Sequence, residues 1–341
     1  MKLIVGSRGN LNSTRAIIEG TGGKIDEVYL SVKNSRFGSG RNYVHEVDIS
    51  EIARQVEIAR KHDVHISPAF NTVCFGVQKF NDSFRNEFAN LISDLREVGI
   101  DRIIISDPYL MEIVRDKFPD IKIIVSVFSE VDSINRLKFY NDLGVDRIVI
   151  PHELNRNLEK LKRFVEVSKC DLELLLNLGC SHYCARGDTH SMFTGHYVGE
   201  MRKKVMGDCY NAYCSRYKLN HPSDFLSQDW IRPEDIYRYE EIGIEYFKIA
   251  GRATSTSRVI KTTNAYLDRS YEGNIFELIS TYYPFTDRVE EQRNPNPDSK
   301  KGNPLYIPNK KLDEIMDILY ECGHRCDECN RCESLFNSLI S

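Results

Sequence analysis

Three stretches of this sequence repeat one pattern: GIDRIIIS at 99–106, GVDRIVIP at 144–151 and GIEYFKIA at 243–250, with KIDEVYLS at 24–31 as a weaker fourth copy. Each runs from a glycine through an acidic residue into an apolar, β-rich segment. The glycine suits the left-handed position that ends a helix, and the segment suits a strand buried on both faces. A chain built from such units lays parallel strands side by side and covers them with helices.

The intervals supply the missing parts. LIVG (3–6), VHISPAF (64–70), KIIVSV (122–127) and LELLLN (172–177) read as further strands. SEIARQVEIARKH (50–62), FRNEFANLISDLREV (84–98) and SINRLKFYNDL (133–143) carry apolar residues three and four apart, the period of a helix. Strand and helix alternate eight times by about residue 268, which predicts an α/β fold of the (β/α)8 TIM-like barrel type over residues 1–270, with a doubly wound sheet as the alternative. An insertion at 178–231, after the seventh strand, lengthens the last crossover to nearly 70 residues. Loops after strands build the active face of such a barrel, so the insertion is expected over its mouth. Residues 271–341 form a C-terminal extension: 287–303 lack an apolar run and read as a linker, NKKLDEIMDILYECG reads as a last helix with Leu312, Ile315, Met316 and Leu319 on one side, and a cysteine-rich tail follows.

Cysteine placement carries the chemistry. The insertion holds Cys180 and Cys184 (C-x3-C) and Cys209 and Cys214 (C-x4-C), with 24 residues between the pairs. The tail packs Cys322, Cys326, Cys329 and Cys332 into 11 residues. Four thiolates can close a tetrahedral zinc site or hold an iron–sulfur cluster, and short intra-pair loops serve both. The two quartets can mean two clusters, one cluster and one zinc, or ligands drawn from both groups; the bland reading is buried thiols without metal. His190 and His196 are candidate non-thiolate ligands, while Cys74 and Cys170 lack partners at metal spacing and read as structural. Ten cysteines at metal-like spacing in a chain of 341 residues point to a reducing compartment, and with no secretory or membrane-spanning segment visible a cytoplasmic protein is expected.

Lys and Arg total 46 against 50 Asp and Glu, so the formal charge of −4 gives no global signal for nucleic acid and none for DNA. Arg202, Lys203 and Lys204 form a local basic patch suited to RNA or to a solvated helix face. Strand ends contribute Ser7, Arg8 and Asn10, Lys33, Arg36 and Arg41, Asn71, Asp107, Ser126 and Ser129, His152 and Glu153, and finally Lys248 with Arg252. Cations around one cavity can offset thiolate charge or clamp an anionic substrate. Arg8, His152, Lys248 and Arg252 are the candidate catalytic residues, His152 beside Glu153 as a base oriented by a carboxylate. No nucleophile elbow, zinc-protease helix or phosphate-cradling glycine loop is present.

The order GKIDEVYLSV, GIDRIIISDPYL, IKIIVSVFSEVDSINRLKFYNDLGVDRIVIPHEL and ELLLNLGCSHYC resembles the collagenase-like U-thirty-two peptidase family over about four-fifths of the chain. GCSHYCARGDTH, WIRPEDIYRYEEIGIEYFKIAGR and the tail resemble a less studied branch of it. The resemblance implies a barrel whose Cys180, Cys184, Cys209 and Cys214 bind a 4Fe-4S cluster, and an oxygen-independent hydroxylation or related redox modification of an RNA base or a small aromatic, quinone-type molecule. The usual signature separates its first two cysteines by more residues, including a glycine, where this chain has Ser-His-Tyr. Expected cofactors are one or two 4Fe-4S clusters, with zinc as the alternative at one site. Two rival functions stay open: a metal-dependent peptidase, as the family name says, and a non-catalytic iron–sulfur partner of another protein.

Overall fold

A computed structural model describes residues 1–33, 37–38, 46–75, 81–196, 209–252, 254–282, 305–326 and 328–340. Arg36, Arg41, the Arg202–Lys204 patch and the 287–303 linker lie outside the described residues. Eight parallel strands close on themselves: β1 (Lys2–Gly6), β2 (Glu27–Val32), β3 (His65–Phe70), β4 (Arg102–Ile105), β5 (Lys122–Val125), β6 (Arg147–Ile150), β7 (Asp171–Leu175) and β8 (Tyr246–Ile249). Closure is made by β1, which pairs with β2 through Ile4 and Glu27 and with β8 through Ile4 and Lys248. A two-residue strand, Glu46–Val47, extends the end of β2. The expected (β/α)8 barrel is therefore the observed fold, and the doubly wound sheet is not.

Helices α1 (Leu11–Gly20), α2 (Ile49–Arg60), α3 (Asp82–Glu97), α4 (Pro108–Lys117), α5 (Ile134–Leu143) and α6 (Leu158–Val167) alternate with the strands. Their starts are written in side chains: Asn10, Asp48, Asn81, Asp107, Ser133 and Asn157 each accept a hydrogen bond from a backbone N–H of the first turn. Gly99, Gly144 and Gly243 have φ of 91°, 73° and 94°, the left-handed geometry that the repeated pattern calls for.

After β7 the chain leaves the barrel for α7 (Gly187–His196) and α8 (Cys209–Asn220), then returns through β8 to α9 (Thr256–Leu267). Beyond it, the expected single helix over 309–323 is broken. A 3-10 segment, Asn309–Glu314, is followed by a separate turn of helix at Met316–Tyr320, with Ile315 at φ −122° between them. At the start of the segment the Asn309 side chain donates to Glu234 and to the Tyr271 carbonyl, which fixes its entry. Leu312, Ile315, Met316 and Leu319 are nonetheless buried together, as their spacing suggests. A final helix, α10 (Arg331–Ile340), carries the last cysteine, Cys332, in its first turn and buries Phe336 and Leu339. These tail residues share one apolar cluster with Phe225, Leu226 and Trp230 of the insertion, so these parts of insertion and tail are packed as one body.

The barrel interior is layered. Ile4, Tyr29, Ala69, Ile104, Ile124, Val149 and Leu175 form an apolar layer. Two residues earlier on the same inward faces of β2, β4, β6 and β7 stand Glu27, Arg102, Arg147 and Glu173. Arg147 bridges Glu27 (2.6 Å) and Glu173 (2.7 Å), Arg102 reaches Glu27 (3.3 Å), and Lys248 reaches Glu173 (3.1 Å). Burial alone would lift the Glu27 carboxyl, but Arg147, Ser67 and Arg102 hold it below its ordinary value. Removing one partner of such a network strands the others. Glu27→Ala is expected to cost about 3–5 kcal/mol in denaturant unfolding, and a loss within experimental error would show that the network is not load-sharing.

Candidate functional site

The seventh strand delivers the chain to the mouth and fixes it there. Asn177 is fully buried, donates from Nδ2 to the carbonyls of Ala250 (3.1 Å) and Leu278 (2.9 Å), and accepts from the Ala250 N–H (2.7 Å). It ties the end of β7 to the end of β8 and to the extension. Two residues on, Gly179 sits where a Cβ would lie 2.5 Å from Ile279 and 2.9 Å from both Gln228 and Thr281. Only a residue without a side chain brings Cys180 this close. The Gly179 carbonyl accepts from Lys218 Nζ and Thr281 Oγ1, each at 2.7 Å.

Lys218, on α8, is the residue the sequence reading missed. It is 6% exposed, its ammonium lies over the Tyr282 ring at 4.4 Å, and its neighbours include Cys180, Cys184 and Cys214. Burial pushes this ammonium below the usual lysine value, while negative charge on Cys180, Cys214 and Cys184 draws it back up. A buried cation held by one carbonyl and one ring face is costly unless an anion faces it. Thiolates meet that need, and thiolates are what a metal or cluster requires. Cys209 opens α8 one turn before Cys214, but its side chain, like that of His196, lies outside the described residues. The residues present thus fit a thiolate-bound group.

The tail thiols also feel one another's charge. Cys332 is half-buried, and its thiol is pushed up to about 11, first by burial and then by charge on Cys322 and Cys326, with Cys329 adding and Arg156 opposing. Cys326 and Cys329 are exposed. His182, midway between Cys180 and Cys184, stacks on His324, midway between Cys322 and Cys326, with ring centroids 3.6 Å apart and planes 7° from parallel. Both imidazoles engage Asp229, which is wholly buried: His182 Nδ1 to Oδ2 at 2.7 Å and His324 Nε2 to Oδ1 at 3.4 Å. Burial lifts the Asp229 carboxyl, but the two histidines and Arg156 outweigh it and hold it low. Asn155 secures the backbone by donating to the Asp229 carbonyl (2.8 Å). The donor atoms of His182, Asp229 and His324 lie within 4.8 Å of one another, a set that suits a mononuclear metal centre, zinc included. None of these three was singled out from the sequence, although the repeated C-x-H-x-C spelling, CSHYC and CGHRC, was there to be seen.

The four rim candidates separate in depth. Arg8 is exposed. Arg252 is buried, donates to Ser31 Oγ at 2.8 Å and lies over Tyr29 at 5.0 Å; a Cβ at Gly6 would meet its Cγ at 2.6 Å, so that glycine makes its room. Lys248 also lies over Tyr29, at 4.3 Å, and is bound to Glu173 in the interior network. His152 faces Glu153 from Nδ1 at 3.1 Å, and its buried Nε2 has no hydrogen-bond partner among the described residues. His190 stacks on Tyr210 at 5.3 Å. Cys170 bonds with Ser168, and burial pushes its thiol up to about 11.

The family model for peptidase family U32 matches residues 9–290. An uncharacterised protease of Methanocaldococcus jannaschii is 25% identical over 335 residues, 98% of this chain and 94% of the relative. A 23S rRNA 5-hydroxycytidine synthase of Escherichia coli is 24% identical over 303 residues, 86% of this chain but 40% of the relative, so this chain spans less than half of that enzyme. A tRNA hydroxylation protein of Bacillus subtilis is 22% identical over 233 residues, 65% of this chain and 72% of the relative. Among solved structures, a U32 peptidase superposes with a TM-score of 0.55 at 17% identity, covering 74% of this chain and 93% of that one, a likeness of fold. No helix among the described residues is long and apolar enough to cross a membrane.

The insertion rests on the mouth partly through an acid pair, Glu130 with Asp188 at the start of α7. Burial, then the hydrogen bond and charge of Asp188, raise Glu130 from 4.5 to about 7. A carboxyl raised in the fold binds a proton that the unfolded chain has released, so its stabilisation is present below pH 4.5 and is lost as pH rises to about 7. Hydrogen exchange of residues 187–196 should accordingly quicken relative to the barrel strands across that window in the native chain and stay flat in Glu130→Gln. Identical profiles for the two proteins would remove the acid pair as a fastening.

Proposed function

The chain belongs to peptidase family U32, and from that premise we propose that it is an iron–sulfur enzyme that carries out an oxygen-independent hydroxylation, or a related redox modification, of an RNA base. Family membership supports catalysis, and the hydroxylation proteins among its relatives support a redox, hydroxylase-like role. The observation that carries the reading is the buried Lys218 ammonium beside Cys180, Cys184 and Cys214, because neutral thiols give that charge no reason to be there. Those three and Cys209 would hold a 4Fe-4S cluster, which when bound supplies one-electron chemistry at the mouth.

The remaining roles fall to this chain's own groups. Arg8, exposed at the rim, is placed to meet a phosphate of the nucleic acid. Arg252, held by Ser31 and Tyr29, presents a fixed cation beneath it for an anionic group of substrate or co-substrate. His152 carries an unused Nε2 and an orienting carboxylate at Nδ1, which equips it to take a proton from a substrate at the mouth. Lys248, bound to Glu173 below Tyr29, sets the potential of the cavity floor.

A second reading, metal-dependent peptide hydrolysis, rests on the His182, Asp229 and His324 set. It is the weaker, since two imidazoles stacked nearly parallel at 3.6 Å must turn before both lone pairs point at one ion.

Nucleoside mass spectrometry of RNA from cells with and without the gene tests the proposal. A nucleoside bearing one added oxygen should vanish without the gene and return with the native protein, but not with Cys180→Ser or Arg252→Ala. Unchanged RNA, together with chelator-sensitive peptide cleavage by the purified protein, would transfer the assignment to hydrolysis.

A further inference from the structure

Each cysteine quartet in this chain contains the same five-residue spelling, cysteine, any residue, histidine, any residue, cysteine, at 180–184 and at 322–326. The fold brings the two spellings face to face, since their histidines stack at 3.6 Å and share the buried carboxylate of Asp229. Two residues of chain reach about 7 Å at most, so the thiols on either side of each imidazole are held close to the shared stack. Each quartet also has its own buried cation. Lys218 serves the first. Arg156 serves the second: it is 4% exposed, covers the Trp230 ring at 4.9 Å, donates from Nη1 to the Leu226 carbonyl, and keeps Nε and Nη2 without hydrogen-bond partners among the described residues.

We propose that Cys322, Cys326, Cys329 and Cys332 bind a second iron–sulfur cluster, and that the His182–Asp229–His324 bridge is the positioning device that seats it beside the first. Four thiols within 11 residues, at spacings of three, two and two, follow the ferredoxin type of run more closely than the paired knuckles of structural zinc sites. Arg156 supplies part of the charge that four thiolates and their iron demand, since its guanidinium is near enough to draw the Cys332 thiol downward. Asp229 acts through the two imidazoles: His182 Nδ1 is hydrogen-bonded to its Oδ2 at 2.7 Å, and His324 Nε2 lies 3.4 Å from its Oδ1. The exposure of Cys326 and Cys329 puts the second cluster on the outer side, where a one-electron donor protein can approach. The tail shares its apolar core with the insertion, so this seating is part of the fold.

The test uses the full-length protein, reconstituted anaerobically with iron and sulfide and reduced with dithionite. Cys326→Ser/Cys329→Ser should lose about half of the iron, and Cys180→Ser/Cys184→Ser the other half. In the native protein the two reduced clusters should broaden one another's electron paramagnetic resonance spectrum. His324→Ala and Asp229→Asn should keep the iron but give narrower spectra that match the sum of the two quartet variants. A tail variant that retains all its iron, zinc in the tail quartet, or a His324→Ala spectrum that superimposes on the native one would each overturn the proposal. So would loss of a separate metal on Asp229→Asn with both quartets still loaded, which would make the triad itself the site. If instead only Cys180→Ser/Cys184→Ser leaves the iron untouched, the barrel-mouth assignment falls and the tail cluster stands.

Discussion

A lysine ammonium buried near the end of a helix, within electrostatic reach of three cysteine thiols, is the interaction on which the account of this molecule rests. Desolvating that charge costs several kcal/mol or more unless negative charge is close by. Lys218 has one carbonyl, one aromatic face and the thiols. The barrel beneath supplies the rigidity that makes the arrangement possible. Asn177 stitches two strand ends together, and Gly179 lets the chain pass so near Ile279, Gln228 and Thr281 that Cys180 has little freedom of position.

The insertion and the extension, far apart in sequence, are one structural body. Phe225 and Trp230 stack at 4.6 Å, and Phe276 and Tyr282 complete the aromatic group around Phe225. Leu312, Met316, Phe336 and Leu339 close the same core from the tail. The consequence is chemical as well as mechanical. Packing these segments together places CSHYC against CGHRC and buries Asp229 at the nitrogen edge of their stacked imidazoles, so that neither quartet is set by local sequence alone. Tyr183 (φ 44°) and His324 (φ 52°) adopt left-handed backbone in these two loops, a conformation that such residues hold only when surrounding structure imposes it.

Much of the scaffold was legible because it is local. Glycine after helix, acid, then β-branched run is a repeated instruction, and Gly99, Gly144 and Gly243 obey it. The presence of an insertion after the seventh strand followed from the uneven spacing before the last strand. What was not legible depends on residues distant in the chain. Glu27, Arg147 and Glu173 read as ordinary strand charges, yet closure of the barrel makes them a buried network. Lys218 stands in an unremarkable polar helix, and only the path of Gly179 gives it a partner. His190 was weighed as a ligand for its place among cysteines, but it stacks on Tyr210, whereas His182 and His324 were passed over because nothing in either motif alone shows that the other lies against it. The helix expected across Ile315 is interrupted there, and its first residue, Asn309, is tied to Glu234 and Tyr271, more than 35 residues earlier in the chain.

The central claim is that sulfur at the barrel mouth holds iron. Mössbauer spectroscopy of the full-length protein, produced with iron-57 and purified without oxygen, addresses it directly. The account predicts the spectrum of a four-iron cluster, diminished when Cys180 and Cys214 are replaced by serine. Iron-free protein whose Cys180, Cys184 and Cys214 react freely with an alkylating reagent, or the same sites filled by zinc, would contradict it.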